Sequence, residues 1–565
     1  MPKGSLRAED SKLRQFSASL IDRLQFAQSA FKLLYERVTH RRPRPPVLKP
    51  YSNNKTWQRQ LLSLSFFPPL ILFCLIYGFF FALTAPYLIV QFAMPIVLLS
   101  LLVIWALPDE RAAPVTLMRF LLSSYIICLI LWPNYLAVAL PGLPWITFIR
   151  LTGIPLAFCL CIALSISGRF RFQLGQILNS TPLVWRGLAV FVALQFLTLP
   201  VSDSIASSLN RSLIYQVNWT AIFLVSAYVF YKPGRISRYI ALIGALAIPV
   251  TILSTVEFNQ QHLLWDGHVP SILKIDDLDK VMKPEFRAGT GIYRAKVMFS
   301  TALGLAEYMA LLTPFFLHYL MRPGKLIFRL YAAAMIVALY IAITNSGSRL
   351  GYIGMLWASL LYAFVWSFMR WRRSRSDLIA PTIFFSYPAF FVLVMGASLF
   401  VRRLHTAIWG GGAQQGSNQA RMDQISMALP KVLVNPFGYG TGMSGPTMGY
   451  AEGSFVTIDN YLISIVLDYG VLGLIAYFGM FLAATAYALR FAILYGAESR
   501  DPEAHYLVPL GVALSTFVVI KIVFSQIDNH PLVFMLLGMT VALVARLTHG
   551  RKRDAGEAAL PVKSS

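Results

Sequence analysis

Long apolar runs dominate this sequence and set the first limit on its fold. From about residue 61 onward they recur, each roughly 16 to 25 residues long, which is the length needed to cross a hydrocarbon core of about 30 Å. Hydrophobic residues make up 57% of the 565 residues, an average that no soluble globular domain tolerates. The sequence therefore predicts an all-α polytopic membrane protein with about fourteen transmembrane helices. Their approximate centres are Phe73, Leu98, Ile126, Cys159, Val192, Val225, Leu246, Met309, Val337, Trp357, Val392, Tyr477, Phe517 and Leu537.

The basic residues are distributed unevenly among the connections. Arg and Lys recur in alternate connections and in both terminal tails, so the positive-inside rule predicts that the N-terminus and the C-terminus are cytoplasmic. The outer side then receives two long segments, about 257–299 and about 401–459. We divide the chain into a basic cytoplasmic tail (1–60), an integral membrane domain (61–547) and a second basic tail (548–565). The first tail has apolar residues at helical spacing, which suits an amphipathic helix on an anionic leaflet or a tail that acts only as a topology signal.

The formal net charge of +24 does not indicate a nucleic-acid partner, because the charge is concentrated in tails and short loops. The cysteines, Cys74, Cys128, Cys159 and Cys161, all fall in apolar runs. They are typical of small buried hydrophobes and show neither a disulfide framework nor metal-ligand spacing.

Arginines on the outer side run against the usual distribution of charge. They are Arg211, Arg287, Arg294, Arg349, Arg402, Arg403 and Arg421. A guanidinium offers a planar fork of donors that matches phosphate oxygens, and it stays charged at any working pH. A cluster of arginines at a membrane surface therefore suits a diphosphate. The alternative is that they pair with the many outer acids or with lipid headgroups.

A glycine-rich stretch around Gly440, in the segment that runs from Asn435 to the predicted helix start at Thr457, has the spacing G-x-G-x-x-G. We expect an irregular loop here rather than a dinucleotide site, because no βαβ unit surrounds it. Its glycines would let backbone N–H groups approach a phosphate or a sugar, and a plain loop is the alternative.

Several carboxylates lie near or within the predicted spans. Asp459 and Asn460 stand at the start of the twelfth span, where either residue caps a helix well; the functional alternative is that Asp459 accepts the proton of an attacking hydroxyl. Asp468 and Glu307 lie inside spans, where a carboxylate is functional by default or belongs to a buried hydrogen-bonded pair.

Two other groups favour a structural interpretation. Asp276, Asp277 and Asp279 offer oxygen ligands for a divalent cation, but neighbouring lysines favour a solvated loop. His530, on the last outer turn, is interpreted as a surface histidine rather than a base.

These motifs together resemble the family of O-antigen ligases and Wzy-type polysaccharide polymerases, over roughly residues 280–490. The residues that carry the resemblance are Asn435-Pro436-Phe437-Gly438-Tyr439-Gly440, Asp459-Asn460-Tyr461-Leu462, Asp468-Tyr469-Gly470 and Gly473-Leu474, with Phe286-Arg287-Ala288-Gly289 and Ser346-Gly347-Ser348-Arg349 upstream. One position departs from the pattern: Asp459 stands where ligases usually have histidine, which favours a polymerase over a ligase that caps lipid A core.

The resemblance implies a metal-independent, inverting glycosyltransferase of the bacterial inner membrane, with its active site facing the periplasm and no cofactor. Its donor would be an undecaprenyl-diphosphate-linked glycan and its acceptor a second glycan, with a flippase and chain-length regulator as possible partners. Arg287 and Arg349 would hold the diphosphate, and Asp459 would activate the acceptor. Arg294, Arg211, Asn460, Gly440, Arg402 and Asp468 are the candidate substrate-binding residues. A transporter or flippase of polysaccharide precursors is the alternative from another class; repeat symmetry and helices broken near the midplane would favour it.

Overall fold

The structure is a computed structural model that describes residues 99–100, 103–104, 112–138, 146–273, 278–287, 291–401, 415–449, 458, 460–496, 501–523 and 525–558. All of them lie in one compact unit that runs from Leu61 to Ser565. Within these ranges the chain is almost wholly helical, and its extended pairings are the isolated bridges Val138–Ile146 and Phe286–Tyr293. The predicted tail 1–60 and the predicted centres Phe73 and Leu98 lie outside the described residues.

We number the α-helices in chain order. They are α1 (Val115–Leu131), α2 (Phe148–Ile166), α3 (Gly168–Asn179), α4 (Pro182–Leu197), α5 (Ile205–Tyr215), α6 (Ile222–Val229), α7 (Arg235–Gln260), α8 (Leu278–Met282), α9 (Ala302–Met321), α10 (Leu326–Asn345), α11 (Arg349–Arg373), α12 (Ile379–Phe400), α13 (Gln415–Val434), α14 (Ser444–Met448), α15 (Tyr461–Tyr495), α16 (Leu507–Lys521) and α17 (His530–Ala558). A π-helical turn, Gln216–Ala221, joins α5 to α6 into one continuous helical segment.

Among the described residues, eleven helical segments are long and apolar enough to cross a membrane. Each predicted centre from Cys159 to Leu537 falls inside one of these segments, and Ile126 falls inside the shorter apolar helix α1. The polytopic helical fold is therefore confirmed. The total of fourteen spans and the orientation of the termini stay predictions.

The helices α9, α16 and α17 form the centre of the bundle. The share of buried residues in their spans is 78%, 83% and 94%, whereas in α12 it is only 6%. Two glycines let α11 lie close to α9: a Cβ at Gly351 would lie 2.9 Å from the Ala306 Cβ, and one at Gly354 would lie 2.9 Å from the Ala310 Cβ. Small residues at such contacts are a common basis of helix packing in membranes.

The two long segments between spans contain more helix than the sequence indicated. The stretch 401–459 holds the 20-residue helix α13 and the short helix α14, so the expectation of an irregular loop across 435–449 was wrong at α14. The stretch 257–299 holds α8 and the bridge Phe286–Tyr293. At the other end of the chain, α17 continues to Ala558, into the predicted tail 548–565.

Candidate functional site

The helix α15 is broken at its tenth residue, Gly470. Gly470 has φ +72° and ψ −176°, which is not helical, and an L residue rarely adopts this conformation. A Cβ there would lie 2.0 Å from the Pro436 carbonyl oxygen. Only glycine therefore fits where α15 meets the residues 435–449, which we call the glycine loop.

The glycine loop fills the break in α15 with its own hydrogen bonds. The backbone N–H of Tyr439 donates to the Leu467 carbonyl at 2.7 Å, and that of Gly440 donates to the Asp468 carbonyl at 3.0 Å. The Asp468 carboxylate accepts from the backbone N–H of Gly442 at 2.8 Å and from that of Ser444 at 2.7 Å. Asp468 is thus buried and engaged by the loop, as the hydrogen-bonded alternative for an intramembrane carboxylate requires.

The segment around α5 holds the other side of the glycine loop. The Arg211 Nη1 donates to the Gly442 carbonyl at 3.0 Å, and the hydroxyls of Ser212 and Thr441 lie 2.7 Å apart. A Cβ at Gly440 would lie 2.7 Å from the Ser202 Cβ. Gly440 therefore has a packing reason to be glycine, and Arg211 binds the loop rather than the turn described next.

Two of the predicted arginines contact one turn, and a third follows it. The turn between α10 and α11 spans residues 346–348, and Arg349 is the first residue of α11. The Arg287 Nη1 donates to the Gly347 carbonyl at 3.2 Å, and the Arg294 Nε donates to the Ser346 carbonyl at 3.1 Å. We call Arg287, Arg294 and this turn with Arg349 the arginine junction.

A short hairpin carries the first two arginines to the junction. The Arg287 N–H donates to the Ile292 carbonyl at 2.8 Å, and the Gly291 N–H donates to the Arg287 carbonyl at 3.0 Å. Arg294 also forms an ion pair with Glu285. Arg287, Arg294 and Arg349 are each partly exposed, so the junction has access to its surroundings.

Glu257, at the end of α7, fixes the chain just after the hairpin. Its buried carboxylate accepts from the Tyr293 hydroxyl at 2.9 Å, the Lys296 N–H at 3.1 Å and the Val297 N–H at 2.8 Å. Burial lowers the pKa of the Lys296 ammonium, which donates to the carbonyls of Val281 and Lys283. These contacts hold the Arg294 side of the hairpin against the bundle.

A buried polar cluster lies beneath these elements at the start of α9. The Lys521 ammonium lies 2.9 Å from the Glu307 Oε1 and 3.1 Å from its Oε2. The Asn529 amide donates to the same Oε2 at 3.1 Å. Asp528 accepts from the Ser300 N–H at 3.1 Å, and burial raises the pKa of its carboxyl.

His530 is buried, so its interpretation as a surface histidine was wrong. Its Nε2 lies 3.0 Å from the Tyr461 hydroxyl, and its ring stacks on Trp219 with centroids 4.9 Å apart. Its Nδ1 has no hydrogen-bond partner among the described residues. The Lys521 ammonium lies 5.6 Å from the centre of the Tyr461 ring, which joins this histidine to the buried cluster.

Residues 332–478 match the family model described as O-antigen ligase (Wzy_C). We call this matched segment the O-antigen ligase domain. The match confirms the resemblance found in the sequence, within a narrower range than the predicted 280–490. A comparison with curated proteins found no match.

The O-antigen ligase domain contains some of the candidate residues and not others. Arg349, Gly440 and Asp468 lie inside it, whereas Arg287 and Arg294 lie upstream. The arginine junction is therefore built from both sides of the domain boundary. The domain supports an enzyme of the membrane ligase or polymerase type.

The start of α15 shows which residue caps this helix, a question that the sequence left open between Asp459 and Asn460. The Asn460 Oδ1 accepts from the Leu462 N–H at 2.9 Å and from the Ile463 N–H at 3.4 Å, so Asn460 is the helix cap. Asp459 and Arg402 lie outside the described residues, as do Asp276 and Asp277. Their roles stay predictions.

Sequence reasoning missed Lys521 as a member of the site. A lysine that ends an apolar run resembles an ordinary boundary residue, and nothing nearby in sequence shows that Glu307 faces it. The available signal was its side of the membrane, because a cation at an outer boundary runs against the positive-inside rule as the predicted arginines do.

Proposed function

We propose that this protein transfers a glycan from an undecaprenyl-diphosphate carrier to a glycan acceptor on the periplasmic face of the inner membrane. The proposed product is a polymer of oligosaccharide repeats, either an exopolysaccharide or an O-antigen. The arginine junction is the observation that carries this proposal. It places Arg287 and Arg294 against the turn that leads into Arg349 at the start of α11, and permanent cations of this kind suit a diphosphate leaving group.

The local electrostatics favour an anion at the junction. A guanidinium has five N–H donors, and the contacts of Arg287 and Arg294 with the turn use only some of them. Arg349 stands in the first turn of α11, where the helix dipole disfavours a cation by about 0.3–1 kcal/mol. An arginine there works against helix stability, which favours a role in binding an anion together with the helix N-terminus.

The proposed chemistry needs no separate activation of the sugar. The acceptor hydroxyl attacks the anomeric carbon while the bond from that carbon to the diphosphate oxygen breaks, with inversion at the carbon. The arginines stabilise the negative charge that develops on the diphosphate. Asp459 would accept the hydroxyl proton, consistent with its place beside Asn460 at the start of α15.

The identity of the acceptor separates two versions of this function. Ligases of the resembling family usually have histidine at the position of Asp459, so the carboxylate here favours a polymerase. A ligase that transfers lipid-linked glycan to lipid A core is the alternative. Both versions use the same donor and the same leaving group.

A transporter of polysaccharide precursors is the candidate from another class, and the break in α15 is the observation that favours it. Broken helices in transporters turn free backbone groups toward the substrate. Here the glycine loop occupies the carbonyls of Leu467 and Asp468. The break therefore holds a loop of the same chain, which favours the glycosyltransferase.

The test uses a strain that lacks the gene and carries variants on a plasmid. Arg287→Ala and Arg349→Ala should each lower polymer by on the order of a hundredfold or more, because each removes a charge that stabilises the transition state. Arg372→Ala is the matched control, since this exposed arginine lies at the opposite end of α11 from Arg349. Polymer is measured on gels, with protein level and membrane insertion checked in parallel.

The outcomes separate the hypotheses. Normal polymer from both junction variants, at normal protein level, would remove the proposed diphosphate site. Glycan analysis of the deletion strain then distinguishes the acceptors: single repeats on a capped core indicate a polymerase, and lipid-linked polymer beside an uncapped core indicates a ligase. Asp459→Asn should reduce activity although Asn also caps helices well, and full activity would leave Asp459 with a structural role.

A further inference from the structure

A polar cavity lies at the other end of the bundle from the arginine junction. Its volume is about 590 Å³, and it opens between the last turn of α9, the last turns of α11 and the start of α16. The helix α9 has 20 residues, so its ends are about 30 Å apart. The cavity therefore lies on the predicted cytoplasmic side and is separate from the candidate site.

The floor of the cavity is a chain of hydrogen bonds with one possible direction. The Arg322 Nη1 lies 2.5 Å from the His505 Nε2, and the His505 Nδ1 lies 2.9 Å from the His318 Nε2. The His318 Nδ1 lies 2.9 Å from the Tyr362 hydroxyl. Because an arginine can only donate, His505 accepts at Nε2 and donates from Nδ1, and His318 likewise accepts at Nε2 and donates to Tyr362.

With this direction, the Tyr362 hydroxyl at the end of the hydrogen-bond chain is a donor that the chain itself does not use. The Tyr362 oxygen accepts from His318, so its own proton is left to donate. No acceptor for that proton is found among the residues that the structure describes. Tyr362 is 3% exposed and His318 is 6% exposed, so a buried hydroxyl donor lies at the floor of the cavity.

The rim of the cavity is cationic. Arg322, Arg370 and Arg373 line it and are exposed. The one carboxylate among the lining residues is that of Asp501, which forms an ion pair with Arg546. The Arg546 guanidinium therefore offsets the charge of that carboxylate.

The remaining wall is apolar. Trp366, Met369 and Val508 line it beside the arginines, and the Arg370 guanidinium lies 5.2 Å from the centre of the Trp366 ring. Arg370 also pairs with Asp377, so two rim arginines, Arg322 and Arg373, have no carboxylate partner among the described residues. A cavity with cations at its mouth, a hydroxyl donor at its floor and an apolar wall suits an anion that carries apolar groups.

We propose that this cavity binds a phosphate-bearing anion at the predicted cytoplasmic boundary of the membrane. The rim arginines contact the phosphate oxygens, and Tyr362 donates to one of them. Basic pockets between membrane helices on the cytoplasmic side are known to hold anionic headgroups. A phospholipid headgroup and a soluble phosphate compound share this chemistry, and the experiment distinguishes them.

The experiment uses the full chain purified in detergent and placed in nanodiscs. The discs contain phosphatidylcholine with either phosphatidylglycerol or no anionic lipid, and retained lipid is counted by native mass spectrometry after release. The variant Arg322→Gln/Arg373→Gln is compared with Arg372→Gln/Arg375→Gln, which makes the same charge change at the same end of α11 outside the cavity lining. Tyr362→Phe removes only the hydroxyl. Inorganic phosphate and pyrophosphate are titrated by thermal shift in the discs that lack anionic lipid.

The expected result is retention of phosphatidylglycerol by the native chain and by the control variant. The cavity variant should bind phosphatidylglycerol at least about tenfold more weakly, because it loses two charged donors. Tyr362→Phe should weaken binding by a smaller factor, because it loses one neutral donor. Retention of phosphatidylglycerol without a response to phosphate supports the lipid source, and saturable stabilisation by phosphate or pyrophosphate supports the soluble source. Equal losses in the cavity and control variants, or binding of neither ligand by the native chain, would overturn the proposal.

Discussion

The buried ion pair between Lys521 and Glu307 offers the sharpest test of how this fold is held together. Their side chains are 0% and 1% exposed, and the ammonium lies 2.9 Å from the nearer carboxylate oxygen. Removing one partner of such a pair leaves a buried charge without compensation, which destabilises a protein by about 3–5 kcal/mol. Replacing both partners by neutral groups of similar size is often close to neutral.

The hydrogen bonds that remain around the pair decide how much stability each single variant loses. Glu307→Gln keeps an oxygen that accepts from Asn529, which now donates at 3.1 Å, and Lys521 still donates to the Gln526 carbonyl. This variant should therefore lose about 3 kcal/mol. Lys521→Met leaves the Glu307 carboxylate with only the Asn529 amide and should lose about 5 kcal/mol. The double variant should recover most of both losses.

The assay is unfolding of the purified chain in mixed micelles as sodium dodecyl sulfate is added, followed by tryptophan fluorescence. The coupling free energy from the double-mutant cycle should be several kcal/mol, well above the roughly 0.5 kcal/mol seen between independent sites. Asp377→Asn is the control, because its partner Arg370 is 46% exposed and the Asn oxygen can still accept from the Ile379 N–H, so the loss of this solvent-screened pair should shift the midpoint little. Additive losses, or single variants as stable as the native chain, would refute this reasoning.

Three further predictions concern single side chains of the outer elements. Gly470→Ala should prevent stable folding, because its Cβ would lie 2.0 Å from the Pro436 oxygen at a positive φ, whereas Gly479→Ala in the same helix has open space and should leave the unfolding midpoint unchanged or raise it. Asn460→Ala should destabilise the chain by about 1 kcal/mol through loss of the cap, and Asn460→Asp should restore most of this; equal midpoints for both variants would exclude capping. Burial raises the pKa of the Asp528 carboxyl, so its contribution to stability is present below the ordinary value of about 3.9 and is lost as the pH rises through the raised pKa. Asp528→Asn should therefore flatten the fall of the melting temperature above about pH 4, and an unchanged pH profile would contradict this.

The membrane spans were predictable because length and apolar content decide them locally. Every predicted centre within the described helices falls in an apolar helix, and each from Cys159 to Leu537 falls in one long enough to span a membrane, including Val225, whose span is built from α5, the π-helical turn and α6. The candidate arginines could be selected from the sequence because counting the predicted spans assigns them to the outer side, an orientation that stays a prediction. What the sequence could not show is that Arg287 and Arg294 lie on one hairpin and reach the turn before Arg349, some 50 residues further along.

His530 shows why the rest was out of reach. The polar residues before it, Gln526, Asp528 and Asn529, are typical of an exposed turn, and so the histidine was assigned to the surface. In the fold, Trp219 and Tyr461 from distant helices cover its ring. Burial at a helix start depends on which other helices arrive there, and that is tertiary information with no local pattern.

Several of the described helices begin on the side of the arginine junction, and their starts make cations costly there. These starts include Ala302 of α9, Arg349 of α11, Tyr461 of α15 and His530 of α17. Each helix start carries a partial positive charge, so this end of the bundle disfavours further cations unless an anion is present. Lys521 meets this requirement with Glu307. Arg294 meets it with Glu285, and the proposed diphosphate would be the anion for Arg287.

The two hairpin arginines differ in their partners. Their lysine variants should therefore show which arginine positions the hairpin and which binds the diphosphate. Arg294 is paired with Glu285 and holds the Ser346 carbonyl, so Arg294→Lys keeps the ion pair and should lower activity by only a small factor. Arg287 contacts the Gly347 carbonyl through one nitrogen, so its fork is the part available to a diphosphate. Arg287→Lys keeps the charge but loses bidentate binding, and should lower polymer by at least about tenfold. If Arg294→Lys proved the more damaging variant, at equal protein levels, Arg294 and not Arg287 would hold the leaving group.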